Sequence, residues 1–349
     1  MRGGLLALAP RMGTPVSSFP PPENRSQRHR LLVCLARSES SEVCVPHAIA
    51  LARTFGSQVS LLHVMQSRAE KARRKANDAL GWEISRQEAQ AYLGRIEKQF
   101  VEALGQPVDV RIEQGRPAER IVDVARELGA DLTVLGSHGE ESALAWNLGS
   151  TAQQVLALVG GSVFVAQSST GPTAGRPRRI LVPLDGSLRT ESVLPSATRI
   201  ASEHGAELIL VHVVLEPRPT AFLSAEDQEV AQLLVVRRET GARAYLDRLQ
   251  QQLVRKGGAV QVQVLRHVNE YQGLLELART ERADLVVLSA HGSACDPARS
   301  FGSVTTYLLT YAQVPLLVLQ DLPVHGLARS PDGDGKPPSL RASFAPESV

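Results

Sequence analysis

The 349-residue chain carries 43% apolar and 21% charged residues, a composition that describes folded globular domains and excludes a disordered polymer. Lys and Arg total 38 against 36 for Asp and Glu, a net charge of +2, and aromatic residues supply only 4%. That balance excludes the basic, ring-studded surface of a single-strand nucleic-acid binder and gives no pull toward anionic membranes.

The length admits two ordinary domains with full cores. Residues 1–29, with Pro20-Pro21-Pro22 among Ser, Gly and Arg, read as a disordered tail, and Met12 is an alternative start to Met1. Leu5 to Ala9 is too short for a signal-peptide core and runs into Pro10, and no apolar run reaches bilayer-spanning length. Cytoplasmic residence is therefore the expectation. Cys34, Cys44 and Cys295 show no C-x-x-C spacing, and Cys34 in its apolar run reads as a small buried hydrophobe.

From residue 30 the pattern alternates. Leu31 to Leu35 reads as a buried strand, and Ser41-Glu42 opens a helix that Gly56 stops near Phe55. Gln58 to Met65 is a second strand. A charged helical stretch follows from about Arg68 to Gly105, with Leu93, Ile96, Phe100, Val101 and Leu104 as its apolar stripe. Its cluster Lys71, Arg73, Arg74 and Lys75 reads as a solvated face in preference to an anion site. Val108 to Ile112 is a third strand, Pro117 to Leu128 a helix, Asp131 to Leu135 a fourth strand. Gly149 to about Leu158 is a helix and Ser162 to Val165 a fifth strand.

Residues 168–177 are rich in Ser, Thr, Gly and Pro and form a linker, after which the programme repeats. Ile180 to Asp185 lies 149 positions after the first strand, and Leu210-Val211-His212-Val213 lies 149 after Leu61-Leu62-His63-Val64. The passage from Asp131 to Gly139, with nine residues before Gly149-Ser150, recurs from Asp284 to Gly292, with nine before Gly302-Ser303. Leu234, Ala242, Leu246, Leu249 and Leu253 mark the second long helix, and Leu316 to Leu319 the last strand. Residues 321–349 read as a second disordered tail. Strands alternating with helices predict parallel sheets wound on both faces, with a cleft beyond the strand C-termini where strand order reverses. The ends of strands one and four, Asp185 and Ser289 in the second copy, then meet there.

The glycine loops are where an anion would lodge. Gly136, Gly139 and Gly149 permit positive φ and leave no Cβ between main chain and ligand. The unpaired N–H groups of the helix that follows, with Ser150 or Ser303, point at the same place. Plainer readings stand beside this one. The glycines also suit a simple tight turn, and His63 and His212 read as satisfied core histidines. His138 and His291 fit loop-bracing as well as ligand contact, and Asp185 fits bracing of its turn as well as ribose binding. A P-loop, an early G-x-G-x-x-G, clustered receiver-type acids, a Ser-His-Asp set and a zinc ligand set are all missing from the sequence.

The spacing G-x-x-G-x9-G-[ST], a D-L-x-V-x strand before it, and a first strand reading I-L-V-P-x-D-G-S resemble the universal stress protein family, twice over: residues 30–167 and 178–320. The resemblance implies two Rossmann-like, doubly wound parallel sheets of five strands, each in the order 3-2-1-4-5. In one branch of that family it further implies ATP binding. There the first-strand Asp and the residue two before it meet the adenosine, a second-strand Val meets adenine through its main chain, and the glycine loop and its Ser hold ribose and phosphates. Carried over, the second copy offers Pro183, Asp185, Val213, Ser289 (in place of a glycine), His291, Gly292, Arg299, Gly302 and Ser303. The first copy offers Val64, Gly136, His138, Gly139, Gly149 and Ser150. It has Ala36 where the acid belongs, Cys34 in place of the proline, and Glu140 and Glu141 inside the loop.

The expectation is an ATP-binding regulator of stress survival. Magnesium would accompany ATP only, no catalytic residue or resident metal is assigned, and turnover would at most be slow. The alternative is a nucleotide-free scaffold with vestigial loops. In both readings the last strands pair the two domains internally, and a homodimer of whole chains is left open, with neither nucleic acid nor membrane as partner.

Overall fold

The computed structural model describes residues 29–66, 79–137, 148–167, 175–217, 225–296 and 298–320. Both predicted tails beyond residue 29, the basic cluster at 71–75, most of the linker, and His138, Gly139, Glu140 and Glu141 lie outside them. His29, expected in the tail, stacks on Phe55 with ring centroids 5.6 Å apart.

The first half runs β1 (Arg30–Cys34), α1 (Glu39–Glu42), α2 (Cys44–Phe55), β2 (Gln58–Met65), α3 (Ala79–Leu104), β3 (Asp109–Gln114), α4 (Pro117–Leu128), β4 (Leu132–Gly136), α5 (Ser150–Leu158) and β5 (Ser162–Ala166). The second runs β6 (Arg179–Pro183), α6 (Leu188–Glu191), α7 (Leu194–His204), β7 (Glu207–Leu215), α8 (Ala225–Val254), β8 (Ala259–His267), α9 (Glu270–Thr280), β9 (Leu285–Ser289), α10 (Ser303–Tyr311) and β10 (Leu316–Leu319). The predicted first helix is two, a one-turn α1 capped by the Ser38 hydroxyl and then α2, which Gly56 closes in the left-handed region at φ 63°.

Each half has the order 3-2-1-4-5, and the two halves form one continuous sheet, β3-β2-β1-β4-β5-β10-β9-β6-β7-β8. Within each half all pairings are parallel, and β5 meets β10 antiparallel. The central rung joins Phe164 to Leu317, positions separated by the repeat offset of 153, so a pseudo-twofold axis passes through that pair. Helices α2, α3, α7 and α8 cover one face and α4, α5, α9 and α10 the other, and each apolar layer runs unbroken across both halves.

Two packing expectations change. Val101 is 39% exposed, so the stripe of α3 is Leu93, Ile96 and Phe100, with Leu104 at its margin. On α8, Leu234 is 48% exposed and its neighbour Val235 is the buried residue. The Asp residues of the D-L motif work at the sheet edge away from the cleft: Asp131 Oδ2 accepts Arg30 N–H at 2.8 Å, and Asp284 Oδ2 accepts the N–H groups of Arg178 and Arg179 at 2.8 and 3.0 Å. The end of the linker is pinned: Gly175, at φ +77°, donates its N–H to His47 Nδ1 at 3.1 Å, and a Cβ there would lie 2.4 Å from the Pro46 carbonyl oxygen.

Candidate functional site

Strands one and four lie side by side in both halves, with Val33 beside Val134 and Leu181 beside Val286. The turns leaving them therefore border one crevice. In the second half Asp185 joins those turns. Its Oδ1 accepts the Ser187 N–H at 2.9 Å and the Thr190 hydroxyl at 2.8 Å, and its Oδ2 accepts the N–H of Ser293, from the β9 loop, at 2.6 Å. Burial by itself pushes the carboxyl up, but the Ser187, Ser293 and Thr190 hydrogen bonds outweigh it and hold the group down at about 2. Thr190 is placed by the one-turn α6, where the Ser187 side chain accepts the Thr190 N–H at 3.4 Å.

Gly136 and Gly149 do not take the positive φ expected of them, and Gly292 and Gly302 also lie outside that region. Gly149 and Gly302 precede their helices at φ −60° and −69°, and Gly136 ends β4 as an ordinary rung opposite Ala166. At Gly292 the reason is steric, because a Cβ would lie 2.6 Å from Asp185 Oδ2. Gly149 N–H donates to Ser137 O at 2.7 Å and Gly302 N–H to Ala290 O at 2.8 Å, closing the loop base in the same way twice. Helices α5 and α10 then start with no side-chain cap, leaving first-turn N–H groups, including those of Ser150 and Ser303, at the crevice.

Around that frame the remaining predicted residues separate. Pro183 ends β6, and Leu184 N–H donates to Val211 O at 2.8 Å. Main-chain groups two residues apart on a strand point the same way, so Val213 directs its own toward the space beyond the end of β6. Leu35 N–H and Leu62 O repeat this at 2.8 Å, and place Val64 likewise. Arg299 is exposed on the loop, 3.5 Å from Asp296. His291 is 1% exposed, and its Nε2 bonds Arg299 O at 2.9 Å, so its ring braces the loop from within. Ser289 is 4% exposed with an unpartnered Oγ, and its carbonyl accepts the Thr305 hydroxyl at 2.8 Å.

In the first half Ala36 leaves no carboxylate to latch the loop. Its carbonyl instead accepts Tyr92 Oη–H at 2.9 Å and the Ser41 hydroxyl. His63 is satisfied, its Nδ1 lying 2.8 Å from Leu35 O, and His212 meets the Leu184 main chain in the equivalent place, with Tyr245 beside Glu191. Tyr92 and Tyr245 share the 153 offset and Ser41 and Thr190 the 149 offset. Aligning the repeats beyond their glycines would have flagged these residues, which motif reading passed over. Among the described residues no cluster of three or more His, Cys, Asp or Glu is placed to hold a metal, and no helix is long and apolar enough to cross a membrane.

Strand order, loop closure and uncapped helix starts together define a duplicated Rossmann-like α/β protein. The sequence profile of the universal stress protein family matches residues 27–167 and 177–320. A universal stress protein of Mycolicibacterium smegmatis is 25% identical over 301 residues, covering 83% of this chain and 96% of its own. A universal stress protein of Methanocaldococcus jannaschii is 29% identical over 134 residues, covering 34% of this chain and 82% of its own. The crystal structure of a universal stress protein from Archaeoglobus fulgidus superposes with a TM-score of 0.59 at 19% identity, over 84% of this chain and 99% of that one, and shares its fold. The chain belongs to the universal stress protein family, in its tandem form.

Proposed function

We propose that this chain is a cytoplasmic stress-response regulator that binds an adenine nucleotide, ATP, in the crevice of its second half. The observation that carries the reading is the Asp185 carboxylate, which ties the turn after β6 to the loop after β9 through Ser293 at 2.6 Å. That tie keeps both walls of the crevice in place before any ligand arrives, which lowers the ordering cost of binding. Asp185 would meet the ribose with a remaining lone pair, the Val213 main chain would meet adenine, and Pro183 would line the adenosine end. The N–H groups at Gly292, Gly302 and Ser303, with Arg299, would receive the phosphates. Magnesium would enter with the triphosphate. No residue is assigned as a base, so the nucleotide acts as a conformational ligand and turnover is slow.

The first-half crevice, with Val64, Gly136, His138, Gly139, Gly149 and Ser150, is the rival phosphate site. A scaffold without nucleotide is the second reading. It is favoured by the internal partners that Asp185 already has, and by the β5–β10 pairing that joins the halves unaided.

Gly302→Ala tests the assignment cleanly. A Cβ at Gly302 meets its neighbours at ordinary contact distances of 3.5 Å and beyond, so the variant folds, yet the methyl intrudes where a phosphate would approach. Calorimetric titration should show ATP binding to the wild type, loss of about tenfold or more in Gly302→Ala, and little change in Gly139→Val. Loss in Gly139→Val alone would move the site to the first half. A wild type silent at millimolar ATP would leave the scaffold reading.

A further inference from the structure

We propose that the exposed face of α8 bearing Asp227, Val230, Leu234 and Arg237 pairs antiparallel with the same face of a second copy of this chain, giving a two-fold dimer.

Helix α8 has 30 residues, about 45 Å at 1.5 Å per residue, whereas the nine-residue edge strand β8 beneath it spans about 30 Å. Its buried positions begin at Val235 and continue through Ala242, Leu246, Leu249 and Leu253, while no residue from 226 to 234 is buried. The first turns of α8 therefore overhang the domain. A solvated overhang should be polar all round, yet Val230, Leu233 and Leu234 are 57%, 64% and 48% exposed.

Their spacing is ordered. Positions 227, 230, 234, 237 and 241 recur at intervals of three and four, the seam of a coiled coil, on a face turned about 110° from the buried stripe. Gly241 flattens the far end of that seam.

The charges along the seam are self-complementary in one direction only. Glu226 and Asp227 lie on the N-terminal side of the apolar residues, and Arg237 and Arg238 on the C-terminal side. Two copies running antiparallel about an axis level with Gln232 set Val230 against Leu234 of the second copy. The same register sets Asp227 against Arg237 and Glu226 against Arg238, each pair occurring twice by symmetry. Parallel pairing would oppose Asp227 to Asp227 and Arg237 to Arg237, so the charges select both direction and register.

The last strands β5 and β10 are consumed by each other inside one chain, so a second copy must use another surface. The seam from 227 to 237 is about 15 Å long, much less than a standard interface offers. The dimer is accordingly weak.

The test is sedimentation and light scattering of the full chain from about 1 to 500 μM. The wild-type mass should rise from 37.6 kDa toward twice that value. Leu234→Glu, Asp227→Arg and Arg237→Asp should each weaken association about tenfold or more, with circular dichroism recorded on each because Asp227 also serves the first turn of α8, while Leu234 and Arg237 are exposed and their variants should keep the wild-type spectrum. The double reversal Asp227→Arg with Arg237→Asp should recover association to within about threefold of wild type. A wild type that stays monomeric throughout overturns the proposal. So do single reversals that associate like wild type, or a folded double reversal that stays monomeric.

Discussion

Replacing Gly292 by Ala places a methyl group 2.6 Å from Asp185 Oδ2, inside the space the carboxylate uses to hold the Ser293 N–H. Gly292 does not occupy the left-handed region, so the substitution carries no backbone penalty of its own and acts through that one contact. The carboxylate must swing out. A hydrogen bond to a charged group contributes about 1.5–3 kcal/mol when sheltered, and the solvent access of Asp185 reduces this to about 1–2 kcal/mol. For domains of this size that lowers Tm by about 2–8 °C.

The pH dependence follows from the same contact. Asp185 is held at about 2, below its ordinary 3.8. Its contribution is therefore complete above pH 3.8 and lost as pH falls through 2. Differential scanning calorimetry should show the full Tm gap between wild type and Gly292→Ala at pH 7, and a smaller gap near pH 2. In an Asp185→Ala background the added methyl has nothing to displace, so Gly292→Ala should cost almost nothing there. An equal cost in both backgrounds would refute the steric account of this glycine.

Burial drives the His47 imidazole down to about 4 from 6.5, and its Nδ1 must stay unprotonated to accept the Gly175 N–H at 3.1 Å. Stability should thus be complete above pH 6.5 and fall by about 2–3 kcal/mol as pH drops to 4; His47→Gln should flatten that slope in urea titrations. Burial likewise raises the Cys34 and Cys44 thiols, Cys44 to about 12, while Cys295 is partly exposed on the β9 loop. A thiol reagent at pH 8 should react promptly with one thiol per native chain and with all three in denaturant.

The elements were legible because their periodicities are strong. Gln58–Met65, Pro117–Leu128 and Leu316–Leu319 stand where apolar spacing and flanking signals put them. Side-chain direction on the long helices was less so: Leu234 and Val235 are both apolar, and only the tilt of α8 on β7 and β8 decides that Val235 turns inward. The union of the two sheets depends on which edges meet, and local sequence says little about that. At the crevice, the spacing announced a close approach at Gly292 without revealing that the approaching group is the protein's own carboxylate. His291 carries a ligand-type side chain, but the β9 loop folds back over it at Arg299 O.

The antiparallel rung between β5 and β10 settles how two crevices can share one molecule. Each opens at the C-terminal ends of its own strands, and reversing direction at Phe164 and Leu317 turns those ends to opposite margins of the sheet. The two mouths therefore face away from each other. No single small ligand can bridge them, and a partner clasping one margin leaves the other open. The halves also touch beyond the rungs at Val163, Phe164 and Val165, through Gly175 on His47 and the Ser300 hydroxyl on Ala157 O, so a signal between the crevices has both the sheet and the layers packed on it to travel through.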